Sequence, residues 1–175
     1  LAGIVAGEEA TEVMERTLND PSLIQATIYF RYYVHQALKA AGMGDRLLDN
    51  MQIWRDQMAL GLTTWAEMPE PTRSDCHAWG ASPNIEFYRI LLGIDSDAPG
   101  FRKIRIAPSL GKLKEVSGTI PHPLGSVTAA YKLDERGEGT ARLVLPEGTT
   151  GIFIWNGKEI PLKPGEQVIS LSSRH

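Results

Sequence analysis

The chain has 175 residues, of which 42% are hydrophobic and 22% charged, a balance typical of a soluble globular protein with one or two domains. Its formal net charge of −3, without any block of like charges, gives no indication of a nucleic-acid or membrane partner. No apolar run approaches the roughly 18 residues of a membrane span, and the acidic N-terminal segment is unlike a signal peptide. The single cysteine cannot form an internal disulfide, so the compartment, cytoplasmic or exported, stays undetermined.

The first part of the chain has the pattern of amphipathic helices. A short helix is predicted over residues 10–18, and apolar residues at three- and four-residue spacing predict a long one over 22–42, ending at Gly42. Residues that favour helix N-caps precede the long helix: Asn19, Asp20 and Ser22. Aromatic residues surround Arg31 on several sides of it, which indicates burial against further helices. These partners are either the helices of a small bundle or the rest of a larger helical array.

Two further helices are predicted before the pattern changes. The first spans residues 45–61, with Asp45 as a candidate cap. The second spans 82–93, where Ser82 precedes Pro83 in the first turn and Gly93 ends the helix.

The second part of the chain alternates apolar and polar residues in short runs separated by turn signals. The runs are RKIRIAP, SVTAAYKL, ARLVLP, GIFIW and QVISL. Asn156-Gly157 suits a type I′ turn and predicts a hairpin between GIFIW and KEIPL. About seven short strands at this spacing indicate an antiparallel β-sandwich. We therefore predict an α+β chain with a boundary between a helical part, 1–95, and a strand part, 96–175.

The loop GLTTWAEMPEPTRSDCHAWG, residues 61–80, contains side chains that are unusual in a simple connection between helices. Glu67 suits acid or base chemistry, since apolar neighbours would raise its pKa, although a solvated loop glutamate is the ordinary alternative. Trp65 and Trp79 are candidate sugar-stacking platforms, or they pack in the core. His77 could bind a substrate hydroxyl or tie down the loop.

Other residues of the loop carry weaker predictions. Arg73 and Asp75 could pair with each other or with nearby helix ends. Cys76 would need a base placed by the fold to act as a nucleophile. The four histidines are scattered without metal-ligand spacing, and no nucleotide-binding motif is present, so no metal and no cofactor are predicted.

The segment TTWAEMPEPTRSDCHAWGASP, followed by a linker and by GFRKIRIAPSLG, resembles the C-terminal part of bacterial α-L-rhamnosidases, the inverting glycoside hydrolases of family 78. The resemblance covers nearly the whole chain. It implies the last helices of an (α/α)6 catalytic barrel, or six-hairpin glycosidase, followed by a C-terminal β-sandwich. It also implies that Glu67 is the general base and that Trp65, His77 and Trp79 lie at the sugar-binding end of the barrel.

The same resemblance places the general acid upstream of this chain, since Glu70 and Asp75 do not match its motif. The chain, which starts at Leu1 rather than Met, is therefore expected to be an inactive fragment. Expected partners are a rhamnosylated glycoside or polysaccharide, the remainder of the parent chain and a second copy of the fragment.

The alternative is a non-catalytic carbohydrate-binding or structural module. Phe153 and Trp155 share one face of a strand, which would be either core or a binding strip, and core is favoured because sandwich strands must bury one face.

Overall fold

The computed structural model describes residues 1–69 and 71–173, so Glu70, His175 and the predictions that concern them lie outside the described residues. The chain divides into two compact units, Leu1–Glu86 and Phe87–His175. The first is helical, and the second is built mainly of strands.

Four α-helices occur in the described chain: α1 (Gly7–Asn19), α2 (Ile28–Ala40), α3 (Gln52–Ala59) and α4 (Pro83–Glu86). The first unit also contains three short 3-10 turns, Gly44–Arg46, Leu48–Asn50 and Ala78–Ala81. The predicted end of α2 is confirmed, because Gly42 has a φ of 72° and the Met43 N–H bonds to the Leu38 carbonyl at 2.8 Å. Pro83 is the first residue of α4, also as predicted.

Two predicted helices begin later than the sequence pattern indicates. The caps predicted for α2 are wrong, because the Asp20 carboxylate accepts hydrogen bonds from the Ser22 N–H, at 2.9 Å, and from the Ser22 hydroxyl, at 2.6 Å. This local turn competes with helix formation, and α2 starts only after Thr27. The helix predicted over 45–61 is split, since two 3-10 turns precede α3.

The second unit contains eight strands within the described residues: β1 (Ile94–Ser96), β2 (Lys103–Ile106), β3 (Glu115–His122), β4 (Gly125–Leu133), β5 (Gly139–Leu145), β6 (Thr150–Trp155), β7 (Lys158–Leu162) and β8 (Gly165–Leu171). They form two four-stranded sheets in the orders β1-β2-β6-β7 and β3-β4-β5-β8. The predicted hairpin is confirmed: β6 pairs with β7 through Asn156 and Gly157, both with positive φ. The purely antiparallel prediction is wrong at one place, because β2 and β6 pair in parallel.

One hydrophobic core joins the two sheets and makes the unit a sandwich. Phe153 is fully buried, and its ring stacks at 6.4 Å on Tyr131 of the other sheet and at 6.4 Å on Trp155. The Tyr131 hydroxyl donates a hydrogen bond to the Leu92 carbonyl at 2.8 Å. Phe153 and Trp155 therefore belong to the core, as the sequence favoured, and do not form a binding strip. None of the described helices combines the length and apolarity that crossing a bilayer requires.

Candidate functional site

The loop between α3 and the 3-10 turn at Ala78–Ala81 folds back on itself. The Glu67 N–H bonds to the Ser74 carbonyl at 3.0 Å, and the His77 N–H bonds to the Trp65 carbonyl at 2.8 Å. These two bonds bring Glu67 and His77 onto neighbouring segments. Because α3 ends at Ala59, Glu67 lies within the loop, eight residues beyond the helix.

Buried side chains of α3 hold this loop in place. The Trp54 indole N–H donates to the Gly80 carbonyl at 2.7 Å, and the Gln57 side-chain oxygen accepts from the Ala66 N–H at 3.0 Å. A Cβ at Gly80 would lie 2.5 Å from the Trp65 Cβ, so the close packing of Trp65 requires glycine there. The loop is thus fixed on both sides of Glu67.

The Glu67 carboxylate is bound by the Arg73 guanidinium. Arg73 Nε donates to Glu67 Oε2 at 2.8 Å, and Arg73 Nη2 donates to Oε1. The sequence-based alternatives for Arg73, a pair with Asp75 or with a helix end, are therefore wrong. His77 Nε2 lies 3.9 Å from Glu67 Oε1, and the Glu67 side chain is only 12% exposed.

The contact with Arg73 reverses the direction in which the pKa of Glu67 was expected to shift. Apolar neighbours were predicted to raise it, but the hydrogen bonds from Arg73 lower the pKa of Glu67 and outweigh the opposing effect of burial. Glu67 is consequently ionised at neutral pH. In that state it can accept a proton, whereas an acid role would require it to hold one.

An exposed aromatic surface adjoins this carboxylate through His77. The His77 ring lies 4.6 Å from that of Trp79, and Trp79 lies 5.9 Å from Tyr29 of α2. Trp79 and Tyr29 are each 44% exposed, so part of their ring surface is available to a ligand. His77 Nδ1 is buried and has no hydrogen-bond partner among the described residues. We call these three rings, His77, Trp79 and Tyr29, the aromatic shelf.

Sequence reasoning missed two participants in this site, Arg73 and Tyr29. Arg73 reaches Glu67 only because the loop reverses, and Pro69 and Pro71 between them are the available sequence signal for such a reversal. Cys76 is exposed and free. Among the described residues, no group of three or more His, Cys, Asp or Glu could hold a metal ion.

Comparison with known protein families gives a match for most of the strand unit. Residues 93–169 match the bacterial alpha-L-rhamnosidase C-terminal domain. No curated protein sequence matches the chain.

Solved structures extend the similarity into the helical part. An α-L-rhamnosidase from Aspergillus terreus is 18% identical, with a TM-score of 0.79 over 93% of this chain and 21% of its own. A family GH78 rhamnosidase from Bacillus sp. GL1 is 27% identical, with a TM-score of 0.68 over 81% of this chain and 18% of its own. An α-L-rhamnosidase from Streptomyces avermitilis, solved with L-rhamnose, is 20% identical, with a TM-score of 0.62 over 81% and 16%.

The resemblance to the C-terminal part of rhamnosidases, predicted from the loop and the linker, is thereby confirmed. This chain spans about a fifth of the length of the first two of these structures.

Proposed function

We propose, from the match of residues 93–169 to bacterial alpha-L-rhamnosidase C-terminal domains, that this chain is the C-terminal part of an inverting α-L-rhamnosidase and carries its general base, Glu67. The observation that carries the proposal is the ionised, mostly buried Glu67 carboxylate beside the exposed aromatic shelf. A base next to a flat aromatic surface suits the activation of water against a bound sugar ring.

The proposed step uses Glu67 as proton acceptor. Water attacks the anomeric carbon of a terminal α-L-rhamnoside while Glu67 takes one of its protons. The bond from that carbon to the leaving oxygen breaks, and a carboxylic acid on the opposite side protonates this oxygen. The product sugar has the inverted, β configuration.

The general acid is proposed to come from another part of a larger enzyme. Inverting sites place two carboxyl groups about 6.5–9.5 Å apart, with room for water between them. The match to about a fifth of the length of two solved rhamnosidases supports an enzyme with further catalytic segments. The helices of this chain would then be the last helices of an (α/α)6 barrel.

The remaining site residues are assigned to holding the sugar. Trp79, with 44% of its surface exposed, stacks on the apolar face of the ring. His77, whose ring lies 4.6 Å from that of Trp79 and whose side chain is 19% exposed, binds a sugar hydroxyl. Trp65, packed against Gly80, forms the wall behind Glu67. The substrate class is a rhamnosylated glycoside or polysaccharide.

A structural role is proposed for the sandwich unit itself. Its main aromatic residues, Tyr131, Phe153 and Trp155, are in the core and cannot stack on a glycan. We therefore assign it to supporting the catalytic part. Binding of rhamnosylated glycans to residues 87–175 alone, measured by calorimetry, would instead favour a carbohydrate-binding module.

The decisive experiment compares loop variants in the whole enzyme that carries this chain. Glu67→Gln should lower kcat by about 10²–10⁴-fold with a much smaller change in KM, because the base acts mainly in the transition state. Asp75→Asn is the matched control, since Asp75 is an exposed carboxylate of the same loop. The chain of 175 residues alone should show no hydrolysis of an aryl α-L-rhamnoside.

Azide provides an independent test of the same step. It should partly restore turnover in Glu67→Ala by entering the vacated space as nucleophile, and the product should be the β-configured rhamnosyl azide. Near-normal kcat in Glu67→Gln, together with a loss in Asp75→Asn, would refute the assignment of the base.

A further inference from the structure

Arg73 stands out in the loop because it combines high exposure with a specific bidentate contact. Its side chain is 77% exposed, whereas the Glu67 carboxylate that it binds is 12% exposed. The two guanidinium nitrogens, Nε and Nη2, each contact a different oxygen of Glu67. Such a fork fixes the plane of the carboxylate as well as its position.

The backbone around Arg73 is arranged to keep this contact. The Ser74 carbonyl accepts the Glu67 N–H at 3.0 Å, so the two side chains start from paired segments. The Thr72 hydroxyl donates to the same Ser74 carbonyl at 3.0 Å, and the Ser74 N–H bonds back to the Thr72 oxygen at 3.3 Å. Arg73 thus lies in a tight turn whose carbonyl is anchored to Glu67.

Resting on the proposed function, we propose that Arg73 is a positioning residue that fixes the Glu67 carboxylate in its ionised form and in one orientation for proton transfer. A carboxylate can accept a proton without an arginine beside it, so the proposed role of Glu67 does not by itself imply a role for Arg73. The role follows from the bidentate geometry and from the burial of the carboxylate, which deprives it of most of its water.

The electrostatics agree with this role. Within the described chain, Arg73 and His77 are the charged or titratable groups that act on Glu67. The contribution of α3 is the neutral side chain of Gln57, which accepts a hydrogen bond from the Ala66 N–H next to Glu67. Arg73 lowers the pKa of Glu67, and Glu67 in turn raises the pKa of Arg73. A carboxylate has about four acceptor positions and the fork uses two, so Glu67 retains positions for the attacking water.

A surface pair elsewhere in the chain provides a matched control. Arg142 also binds a carboxylate with two nitrogens, Nε lying 2.9 Å from Glu166 Oε1, but both side chains are about half exposed on the sandwich unit. Exposed pairs of this kind contribute little to stability. Arg142→Met therefore removes an equivalent ion pair without touching the loop.

The first test follows Glu67 directly and needs no activity. The carboxyl carbon of ¹³C-labelled Glu67 is titrated by NMR in this chain. Because Arg73 lowers the pKa of Glu67, Arg73→Met should move the titration to higher pH, while Arg142→Met should leave it in place.

The second test measures kcat/KM against pH in the whole enzyme. The acid limb of this profile is the pH range in which kcat/KM rises as the base loses its proton. Arg73→Met should move this limb to higher pH. A move of one pH unit lowers kcat/KM about tenfold at pH values well below the limb. Arg73→Lys keeps the charge but not the fork, so its acid limb should lie nearer the wild type while kcat at the optimum falls. A merely structural role for Arg73 would lower thermal stability without moving the limb.

The outcomes separate this proposal from the assignment of the base. If neither the NMR titration nor the acid limb moves in Arg73→Met while Glu67→Gln stays inactive, Arg73 is not the positioning residue and the base stands. If the NMR titration moves and the acid limb does not, Glu67 is not the group whose ionisation controls the rate, and both proposals fail. Equal changes in Arg73→Met and Arg142→Met would also overturn the role of Arg73.

Discussion

The helical unit and the sandwich unit differ in how completely they satisfy their own buried groups. Seven buried side-chain polar atoms lack a hydrogen-bond partner within the described residues, and all seven lie in the helical unit. They belong to Arg31, His35, Gln36, Gln57, His77, Ser82 and Glu86. In the sandwich unit the buried Tyr131 hydroxyl reaches the Leu92 carbonyl at 2.8 Å. Native interiors leave few such atoms unpaired, so the helical unit is the exceptional one.

Exposed apolar surface shows the same contrast. The helical unit exposes Phe30 and Tyr33 on α2, together with Ile24, which is 99% exposed. The sandwich unit buries Tyr131, Phe153 and Trp155 in one core, and Phe87, at 38% exposed, is its one large aromatic residue among the exposed apolar side chains of the described chain. One unit therefore has a core that is complete in itself, and the other has surfaces suited to further partners. The candidate site lies on the unit with the unsatisfied surfaces.

The comparison is tested most strongly by producing the units separately. Residues 87–175 should unfold cooperatively as a monomer, because one core joins both sheets. Residues 1–86 should associate and bind a hydrophobic dye, because a large exposed apolar surface drives association. Sedimentation and dye fluorescence give both readings. A monomeric helical unit without dye binding would remove the contrast between the units.

A matched pair of phenylalanine substitutions tests the same contrast within the whole chain. Phe153→Ala removes a fully buried ring and should lower the free energy of unfolding by about 3–5 kcal/mol. Phe30→Ala changes a ring that is 57% exposed and should cost about 0.5 kcal/mol or less. Urea unfolding of both variants measures the difference. Equal costs would show that α2 is as tightly packed as β6.

Two tyrosine hydroxyls give a smaller, sharper comparison. Tyr131→Phe leaves the buried Leu92 carbonyl unpaired and should cost about 1–2 kcal/mol of unfolding free energy. Tyr33→Phe removes only an exposed hydroxyl contact to Tyr29 at 3.4 Å and should be close to neutral. Thermal unfolding distinguishes them. A larger loss in Tyr33→Phe would mean that the α2 surface is more organised than its exposure indicates.

The smallest expected effect concerns acid stability of the sandwich unit. Hydrogen bonds from the Glu138 and Arg136 N–H groups lower the pKa of Asp134 in the turn between β4 and β5. Because this pKa is lower in the folded state, the stabilisation is present above the unfolded-state pKa and is lost as pH falls through the folded one. Asp134→Asn should therefore weaken the dependence of the unfolding midpoint on pH in the acid range.

The control for that measurement is Asp20→Asn in the helical unit. Ser22 lowers the pKa of Asp20 through its hydroxyl and N–H, but Asp20 lies in a loop outside the shared sandwich core. The acid midpoint of the sandwich transition should not respond to it. An unchanged pH dependence in Asp134→Asn would assign the acid sensitivity to other carboxylates.

Local signals predicted the parts of the fold that local chemistry decides. Gly42, Pro83 and the Asn156-Gly157 turn lie where the sequence placed them, because each has a backbone preference of its own. The sequence pattern did not predict the late start of α2, because the Asp20 side chain bonds to the Ser22 N–H and forms a local turn there instead of a helix N-cap. Strand β3 was missed because Pro121 is a turn signal, yet β3 is an edge strand, where a missing N–H is tolerated.

Contacts between distant segments could not be predicted from the sequence alone. The parallel pairing of β2 with β6 depends on the whole sandwich, and the contact of Arg73 with Glu67 depends on a loop reversal. The motif around Glu67 identified the candidate base, but only the structure shows the guanidinium that lowers its pKa. The local pattern therefore predicts a candidate site, whereas the electrostatics around Glu67 depend on the folded loop.

The parallel pairing of β2 with β6 also sets the order in which the strand unit can close during translation. Hairpins such as β3–β4 and β4–β5 need only adjacent segments and can form soon after they leave the ribosome. The second edge of β2 stays unpaired until the ribosome has synthesised β6, Thr150–Trp155. A nascent chain that stalls or is cut before that point presents an open strand edge carrying Ile104 and Ile106, and such an edge recruits other chains into aggregates.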